Sequence, residues 1–304
     1  MRRARAIAAC AGAVLIAACP AASQPTTTRE GEMAVIARQV AALETKSGGR
    51  LGVAVTDAEG QLLFGHRADE RFAMCSTFKL LLAGQVLHSA TNGVSLRTPL
   101  DFQRADLLPH SPGAETLLGA DGKGQYRIGF AAEDAVVLSD NLAANLLLAY
   151  FGGPDGFTER VRATGDDVTR LDRMEPDLNE NAPGDPRDTT SPAAIAKGAA
   201  GYVFGDRLHD SYRKTLRGWL VKSETGRARI RAGLLSNWLV GDKTGTCGTA
   251  YNDVAFVEEP GGDRYMIAVY LDRPAGQGRC GRGDHRRCGA RDCGGSTRLT
   301  ERGA

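Results

Sequence analysis

The sequence lacks an apolar run long enough to cross a membrane, and it lacks a strong charge of either sign. Its small, apolar residues 6–18 fall short of the length, about 20 residues, that a membrane-spanning helix needs. The formal net charge is only +2. Subtracting +3 for residues 1–19 and +4 for residues 276–304 leaves −5 for residues 20–275. This acidic middle part has no basic patch that would indicate binding to nucleic acid.

The first residues have the pattern of an export signal peptide, predicted over residues 1–19. Three arginines among the first five residues precede the apolar stretch, which ends in Ile-Ala-Ala-Cys at Cys19. Two alternatives fit this ending: a lipobox, in which Cys19 would carry a lipid anchor, or ordinary cleavage. Both predict an exported, periplasmic protein with a linker over residues 20–29, in a compartment where disulfides can form.

Residues 30–275 are predicted to form one domain with an α/β (α+β type) fold. Hydrophobic residues make up 42% of the chain and charged residues 24%, which excludes wholesale disorder. Apolar positions at helical spacing predict helices that include residues 33–43, 79–88 and 142–150. Tight turns predict two β-hairpins, with strands at residues 51–55 and 62–64, and at 252–258 and 264–271. Because a hairpin needs no crossover, we expect an antiparallel sheet flanked by helices, with an all-helical subdomain inserted between the hairpins.

Ser76 and Lys79 lie three residues apart at the start of a predicted helix. Positions i and i+3 share one helix face, so the Lys79 ammonium group can reach the Ser76 hydroxyl. A neighbouring base turns a serine hydroxyl into a nucleophile, and the free N–H groups of a helix N-terminus can stabilise an oxyanion. The alternative is a capped helix with a solvated lysine.

Three further polar motifs could complete such a site, and each also has a purely structural interpretation. Residues Ser139-Asp-Asn141 could relay a proton and bind an amide, or they could cap a helix. Residues Lys243-Thr-Gly-Thr246, on a predicted strand, could bind a carboxylate and an extended ligand, or they could form a solvent-facing edge. Glu175 and Asn179 could hold one water molecule between them, or they could belong to a polar loop.

In order and spacing, these four motifs resemble those of class A serine β-lactamases, whose signature includes S-x-x-K, S-D-N and K-T-G. The resemblance covers about residues 30–275 and includes Arg173 and Asp188, which match the salt bridge that closes the family's omega loop. It implies a β-lactamase/transpeptidase-like fold, a small-molecule β-lactam substrate, no metal or other cofactor, and a monomer.

The resemblance also implies the reaction. Ser76 would be the acylated nucleophile, Lys79 would help to deprotonate it, and Ser139 would relay a proton to the β-lactam nitrogen. Glu175, with Asn179, would activate the water that hydrolyses the acyl-enzyme. Penicillin-binding peptidases and β-lactam sensors, the alternative functions, lack this deacylating carboxylate and stay acylated.

A second group of residues would bind the substrate. The carboxylate, the acylamide side chain and the oxyanion would contact residues from several motifs: Asn141, Asn179, Arg229, Lys243, Thr244, Gly245 and Thr246. His110 matches a family position that usually carries an aromatic ring at the mouth of the cleft. There it would place an imidazole ring at the cleft mouth, or it is a surface loop histidine.

Cys75 directly precedes the nucleophile, and Cys247 directly follows Thr246. If the motifs converge on one cleft, the two thiols are neighbours, and in an exported protein this predicts a disulfide. The same pair resembles the active-site disulfide of class A carbapenemases, which implies hydrolysis that extends to carbapenems. The alternative is a purely structural bridge.

Residues 276–304 do not continue the family pattern, which ends in a long C-terminal helix packed on the sheet. They contain eight Gly, seven Arg and three Cys, with Leu299 as the only large aliphatic residue, so they cannot form an amphipathic helix. The three cysteines match no usual zinc-ligand spacing. We interpret this tail as the result of a reading-frame shift near Gly278 that leaves the fold without its C-terminal helix. An inactive product is then an alternative to a functional enzyme.

Overall fold

The computed structural model describes residues 29–275. The predicted signal peptide, most of the linker, and the tail with its missing helix lie outside these residues. Within them the helices are α1 Arg29–Ser47, α2 Phe78–Thr91, α3 Pro112–Thr116, α4 Ile128–Val137, α5 Asn141–Tyr150, α6 Gly153–Arg162, α7 Pro192–Val203 and α8 Asp210–Lys222. The strands are β1 Arg50–Asp57, β2 Leu62–His66, β3 Phe72–Ala73, β4 Pro99–Gln103, β5 Lys123–Arg127, β6 Thr189–Thr190, β7 Leu239–Cys247, β8 Ala250–Glu258 and β9 Arg264–Asp272.

The main sheet is antiparallel throughout, with strand order β2-β1-β9-β8-β7. Both predicted hairpins are present. In the first, Asp57 Oδ1 accepts the backbone N–H groups of Glu59 and Gln61, and Gly60 has a φ of +80° that suits glycine. The first and last strands of the domain pair along β1, from Arg50 opposite Asp272 onward. The predicted fold class is therefore confirmed.

The helices between the hairpins surround α2. Residues 78–87 of this helix are all buried, and helices α4, α5, α7 and α8 pack around it. A helix that is apolar on all sides is expected to lie in the protein interior. Such burial takes the ammonium group of Lys79 out of water, so polar partners must compensate it. The predicted helices at 33–43, 79–88 and 142–150 correspond to α1, α2 and α5.

Helix α7 packs mainly on β1 and β9, and α8 packs on β7, whereas α1 contacts β1 and β2 at the edge of the main sheet. On α1, Val35, Ile36 and Leu43 are 44%, 41% and 58% exposed. Among residues 29–275, no helix is long and apolar enough to cross a membrane.

Candidate active site

Ser76 lies in a short 3-10 turn, Cys75–Thr77, that leads directly into α2. Cys75 and Thr77 are buried, whereas Ser76 is half-buried. The Ser76 hydroxyl donates to Glu175 Oε1 at 3.5 Å. The turn therefore presents a nucleophile that already faces a carboxylate.

Lys79 follows one helical turn later and is fully buried. Its Nζ lies 3.0 Å from Glu175 Oε1 and donates to Ser139 O at 2.9 Å and to Asn141 Oδ1 at 2.6 Å. Ser76 and Lys79 thus share one oxygen of Glu175. Burial lowers the pKa of the Lys79 ammonium group, while the charge of Glu175 opposes this shift. A lower pKa makes the amine more readily available as a base.

Glu175 is held by two amide side chains. Asn179 Nδ2 donates to Glu175 Oε2. Asn145 binds the main chain, because its Oδ1 accepts from Glu175 N at 2.9 Å and its Nδ2 donates to Glu175 O at 2.8 Å. Asn145 was not among the residues predicted from the sequence, although its i+4 spacing from Asn141 on α5 places both amides on one helix face.

The loop that carries Glu175 is closed by Arg173 and Asp188. Arg173 Nε lies 2.6 Å from Asp188 Oδ2, and Asp188 Oδ1 accepts from the backbone N–H groups of Asp172 and Arg173. Asp188 O also accepts from Met74 N at 2.9 Å. The base of this loop is therefore attached to the chain just before the nucleophile.

The residues of the Ser139–Asn141 motif have two different roles. Ser139 Oγ accepts from Lys243 Nζ at 3.0 Å, so Ser139 lies between the two buried lysines. Asp140 instead caps helices: Oδ1 accepts from Ala143 N, and Oδ2 accepts from the first N–H groups of α3. The structural interpretation thus describes Asp140, whereas the residues on either side of it accept hydrogen bonds from the buried lysines.

Lys243 lies on β7, the edge strand of the main sheet, and is fully buried. Burial lowers the pKa of its ammonium group well below the usual value, and the charge of Lys79 adds to this effect. At Lys243, β7 is therefore not a solvent-facing edge. The adjacent Thr244 hydroxyl donates to Thr225 Oγ1 at 2.7 Å, a contact that no local pattern indicates.

Glycine is required at position 245 by a close approach between β7 and the nucleophile turn. A Cβ atom there would lie only 2.6 Å from Met74 O. Arg229 covers the same part of β7, since it donates to Gly245 O, to Asn252 O at 2.6 Å and to Thr246 Oγ1. The predicted carboxylate-binding residues therefore form one cluster.

The predicted disulfide between Cys75 and Cys247 is confirmed. The two Cα atoms are 5.7 Å apart, and both residues are buried. The bridge joins the nucleophile turn to the end of β7, across a sequence separation of 172 residues.

His110 is exposed and lies beside Asn141. Its backbone O accepts from Asn141 N at 3.0 Å, and its Nε2 is 3.0 Å from Leu138 O. Asn141 Nδ2 also donates to Pro109 O at 2.8 Å. The imidazole thus lies next to the Ser139–Asn141 motif.

A pair of buried carboxylates, Asp242 and Asp253, lies behind Lys243. Asp242 Oδ2 accepts from Arg231, and Asp253 Oδ2 accepts from Ile230 N, but Oδ1 of each carboxylate has no partner among the described residues. Burial and the charge of Asp242 raise the pKa of Asp253 to about 7. Among residues 29–275, no cluster of three or more His, Cys, Asp or Glu residues could hold a metal ion.

Comparison with known proteins gives one consistent result. The sequence model of the Beta-lactamase enzyme family matches residues 35–286. β-Lactamase AST-1 of Nocardia asteroides is 43% identical over 273 residues, which cover 88% of this chain and 86% of the relative. β-Lactamase L2 of Stenotrophomonas maltophilia is 42% identical over 258 residues, 84% of this chain and 82% of the relative.

Solved structures agree with these sequence relatives. The ancestral (GNCA) class A β-lactamase superposes with a TM-score of 0.75 at 47% identity, over 79% of this chain and 91% of that one. L2 in complex with relebactam gives a TM-score of 0.73 at 44% identity, over 77% and 87%. The chain therefore belongs to the class A β-lactamases, a family of hydrolases.

Proposed function

We propose that this β-lactamase acts through an acyl-enzyme on Ser76 that a water activated by Glu175 hydrolyses. The observation that carries the proposal is the meeting of Ser76 Oγ and Lys79 Nζ at Glu175 Oε1, at 3.5 and 3.0 Å. One buried carboxylate lies beside both the nucleophile and the ammonium group, and Asn179 holds its second oxygen. A positioned carboxylate of this kind can take a proton from water.

Acylation forms a bond between Ser76 Oγ and the β-lactam carbonyl carbon and breaks the ring C–N bond. The serine proton goes to a base, for which Lys79 and Glu175 are the two candidates. The ring nitrogen receives a proton through Ser139, whose Oγ accepts a hydrogen bond from Lys243 Nζ. In deacylation, water attacks the ester carbonyl while Glu175 takes its proton, the C–O bond to Ser76 breaks, and Ser76 Oγ receives the proton from Glu175.

Substrate binding is proposed for the cluster around β7. Lys243, Thr244 and Arg229 bind the substrate carboxylate, with the Thr246 hydroxyl beside the guanidinium group. Asn141 binds the acylamide side chain through the second hydrogen of Nδ2, because the first donates to Pro109 O. The N–H groups of Ser76 and Thr246 form the oxyanion hole, and His110 contributes an imidazole at the cleft mouth.

We also propose that carbapenems are among the substrates. The support is the Cys75–Cys247 bridge, which joins the nucleophile turn to the substrate-binding strand. Imipenem hydrolysis by the wild type and by Cys75→Ser tests this. Turnover by the wild type that falls in the variant is expected, and no detectable wild-type turnover would leave the bridge with a purely structural role.

We propose that the protein is exported to the periplasm and that it is a monomer. Residues 1–19 act as the signal peptide, residues 20–29 as the linker and residues 30–275 as the catalytic domain, with Cys19 as a lipid-anchor site or an ordinary neighbour of the cleavage site. Mass spectrometry of the N-terminal peptide from membrane and periplasmic fractions distinguishes these two fates.

A nitrocefin assay on the purified chain tests the main proposal. Continuous turnover is expected in the wild type. A stoichiometric burst without turnover would instead indicate a penicillin-binding peptidase or a β-lactam sensor. No reaction, with no cooperative thermal melt, would indicate an inactive product of a shifted reading frame.

A further inference from the structure

The turn that carries Ser76 adopts a backbone conformation that its sequence does not favour. Cys75 has a φ of +47°, in the left-handed region that residues with a Cβ atom rarely occupy. Surrounding contacts must therefore hold the turn in place. Because Cys75 directly precedes Ser76, any relaxation of this residue moves the nucleophile.

Three strands of the main sheet each supply a contact to this turn. From β7 comes the disulfide of Cys247. From β9, the Tyr270 hydroxyl lies 2.8 Å from Thr77 Oγ1. From β8, Asn252 Nδ2 donates to Ala73 O at 2.8 Å and lies 3.3 Å from Met74 O and 3.7 Å from Cys75 Sγ. Asn252 thus binds the segment just before the nucleophile.

Asn252 also connects this turn to the substrate-binding cluster. It is 1% exposed and pairs with Gly245 across the β7–β8 ladder. Its backbone O accepts from Arg229 Nη1 at 2.6 Å. One residue thereby contacts the nucleophile turn through its side chain and the proposed carboxylate-binding arginine through its main chain.

We propose that Asn252 is a positioning residue for Ser76, and that it acts in parallel with the Cys75–Cys247 disulfide. Both restraints act on the same strained turn, so each one limits the displacement of Ser76 when the other is removed. The effect of Asn252 on β-lactam turnover rests on the proposed role of Ser76 as the nucleophile. The positioning of Ser76 by Asn252 does not rest on that role, because it concerns only the geometry and reactivity of this serine.

The test is a double-mutant cycle of Asn252→Leu, Cys75→Ser/Cys247→Ser, and their combination. Leucine has the same number and branching of side-chain heavy atoms as asparagine and removes the N–H donors. For Asn252→Leu alone, we expect nitrocefin kcat/KM to decrease about tenfold, because the turn loses the buried hydrogen bonds that hold Ser76 in place. If the restraints act in parallel, the combined variant loses at least about tenfold more than the product of the single losses.

Gln85→Leu is the matched structural control. Gln85 is also a buried amide, and its Nε2 donates to a main-chain O, that of Phe157, at 3.1 Å. Gln85 Oε1 has no partner among the described residues, so the variant removes one hydrogen bond and one unpaired acceptor and should leave kcat/KM unchanged. Comparable losses of kcat/KM in Asn252→Leu and Gln85→Leu would overturn the proposal, and so would single losses that simply multiply.

A second readout does not depend on β-lactam hydrolysis. A fluorophosphonate forms an O–P bond with an activated serine, and fluoride leaves while the serine proton goes to the neighbouring base. Its labelling rate at Ser76, followed by intact mass, should fall in the same order across the cycle. If the wild type fails to turn over nitrocefin, the proposed function fails, whereas the labelling rates still decide the role of Asn252. Equal labelling rates in all four proteins would refute that role.

Discussion

Replacement of Asp253 by asparagine is expected to stabilise this enzyme, and to do so more strongly as the pH rises from about 4 to about 7. Asp253 is 3% exposed, and its Oδ1 has no partner among the described residues. An ionised carboxylate there lacks the hydrogen bonds that it would have in water, and it also faces the negative charge of Asp242. Asparagine keeps the shape of the side chain and an oxygen that can accept from Ile230 N, but it removes the charge.

The magnitude follows from the pKa of Asp253, which burial raises from 3.8 to about 7 in the folded protein. Below pH 3.8 the carboxyl group is protonated in both folded and unfolded states and costs no stability. Between pH 3.8 and 7 the unfolded state ionises first, so wild-type stability falls as the pH rises. Above pH 7 the full cost applies, which is up to about 4 kcal/mol at 1.36 kcal/mol per pKa unit.

Urea unfolding of the wild type and Asp253→Asn between pH 4 and pH 8 measures this difference. The gain in unfolding free energy should grow with pH and level off above about pH 7. Asp263→Asn, in the exposed turn between β8 and β9, is the control and should show no such gain. A gain that does not depend on pH, or a loss of stability at pH 8, would show that the reasoning is wrong.

Three other predictions concern catalysis and stability. Glu175→Gln should still be acylated by nitrocefin but should accumulate a covalent adduct visible by intact mass, and undiminished turnover would contradict the proposed deacylation. Cys75→Ser/Cys247→Ser should lower the free energy of unfolding by up to about 5 kcal/mol, from the chain entropy of a loop with a separation of 172 residues. An unchanged urea midpoint would contradict this. Arg173→Ala leaves the buried Asp188 without its ion pair and should slow deacylation more than acylation in pre-steady-state kinetics, whereas equal slowing would argue against a local effect on the Glu175 loop.

Local patterns predicted the elements whose structure depends on neighbours in sequence. The first hairpin follows from residues 57–60, where an aspartate that accepts two backbone N–H groups and a glycine at positive φ make the turn. The helices α2 and α5 follow from their apolar residues. The cysteine pair was predictable because each thiol adjoins a motif, so convergence of the motifs implied convergence of the thiols.

Contacts between distant segments were not predictable in the same way. The i+3 spacing places Lys79 and Ser76 on one helix face, but it does not indicate that both side chains also meet at Glu175 Oε1. The Ser139–Asn141 motif indicated a cap of the helix that follows it, but not that Asp140 also accepts from the first N–H groups of α3. Asn252 lies 177 residues from Cys75, and no local pattern relates them.

The sequence by itself therefore determined the family, the motif residues and the two hairpins, because short-range spacing and turn chemistry specify these features. Only the tertiary structure decided which groups lose water and which charges face each other. Lys79, Lys243 and Asp253 acquire their shifted pKa values from burial and from charges on other segments. Desolvation and Coulomb interactions depend on distance in space rather than in sequence, so these properties arise only when the chain has folded.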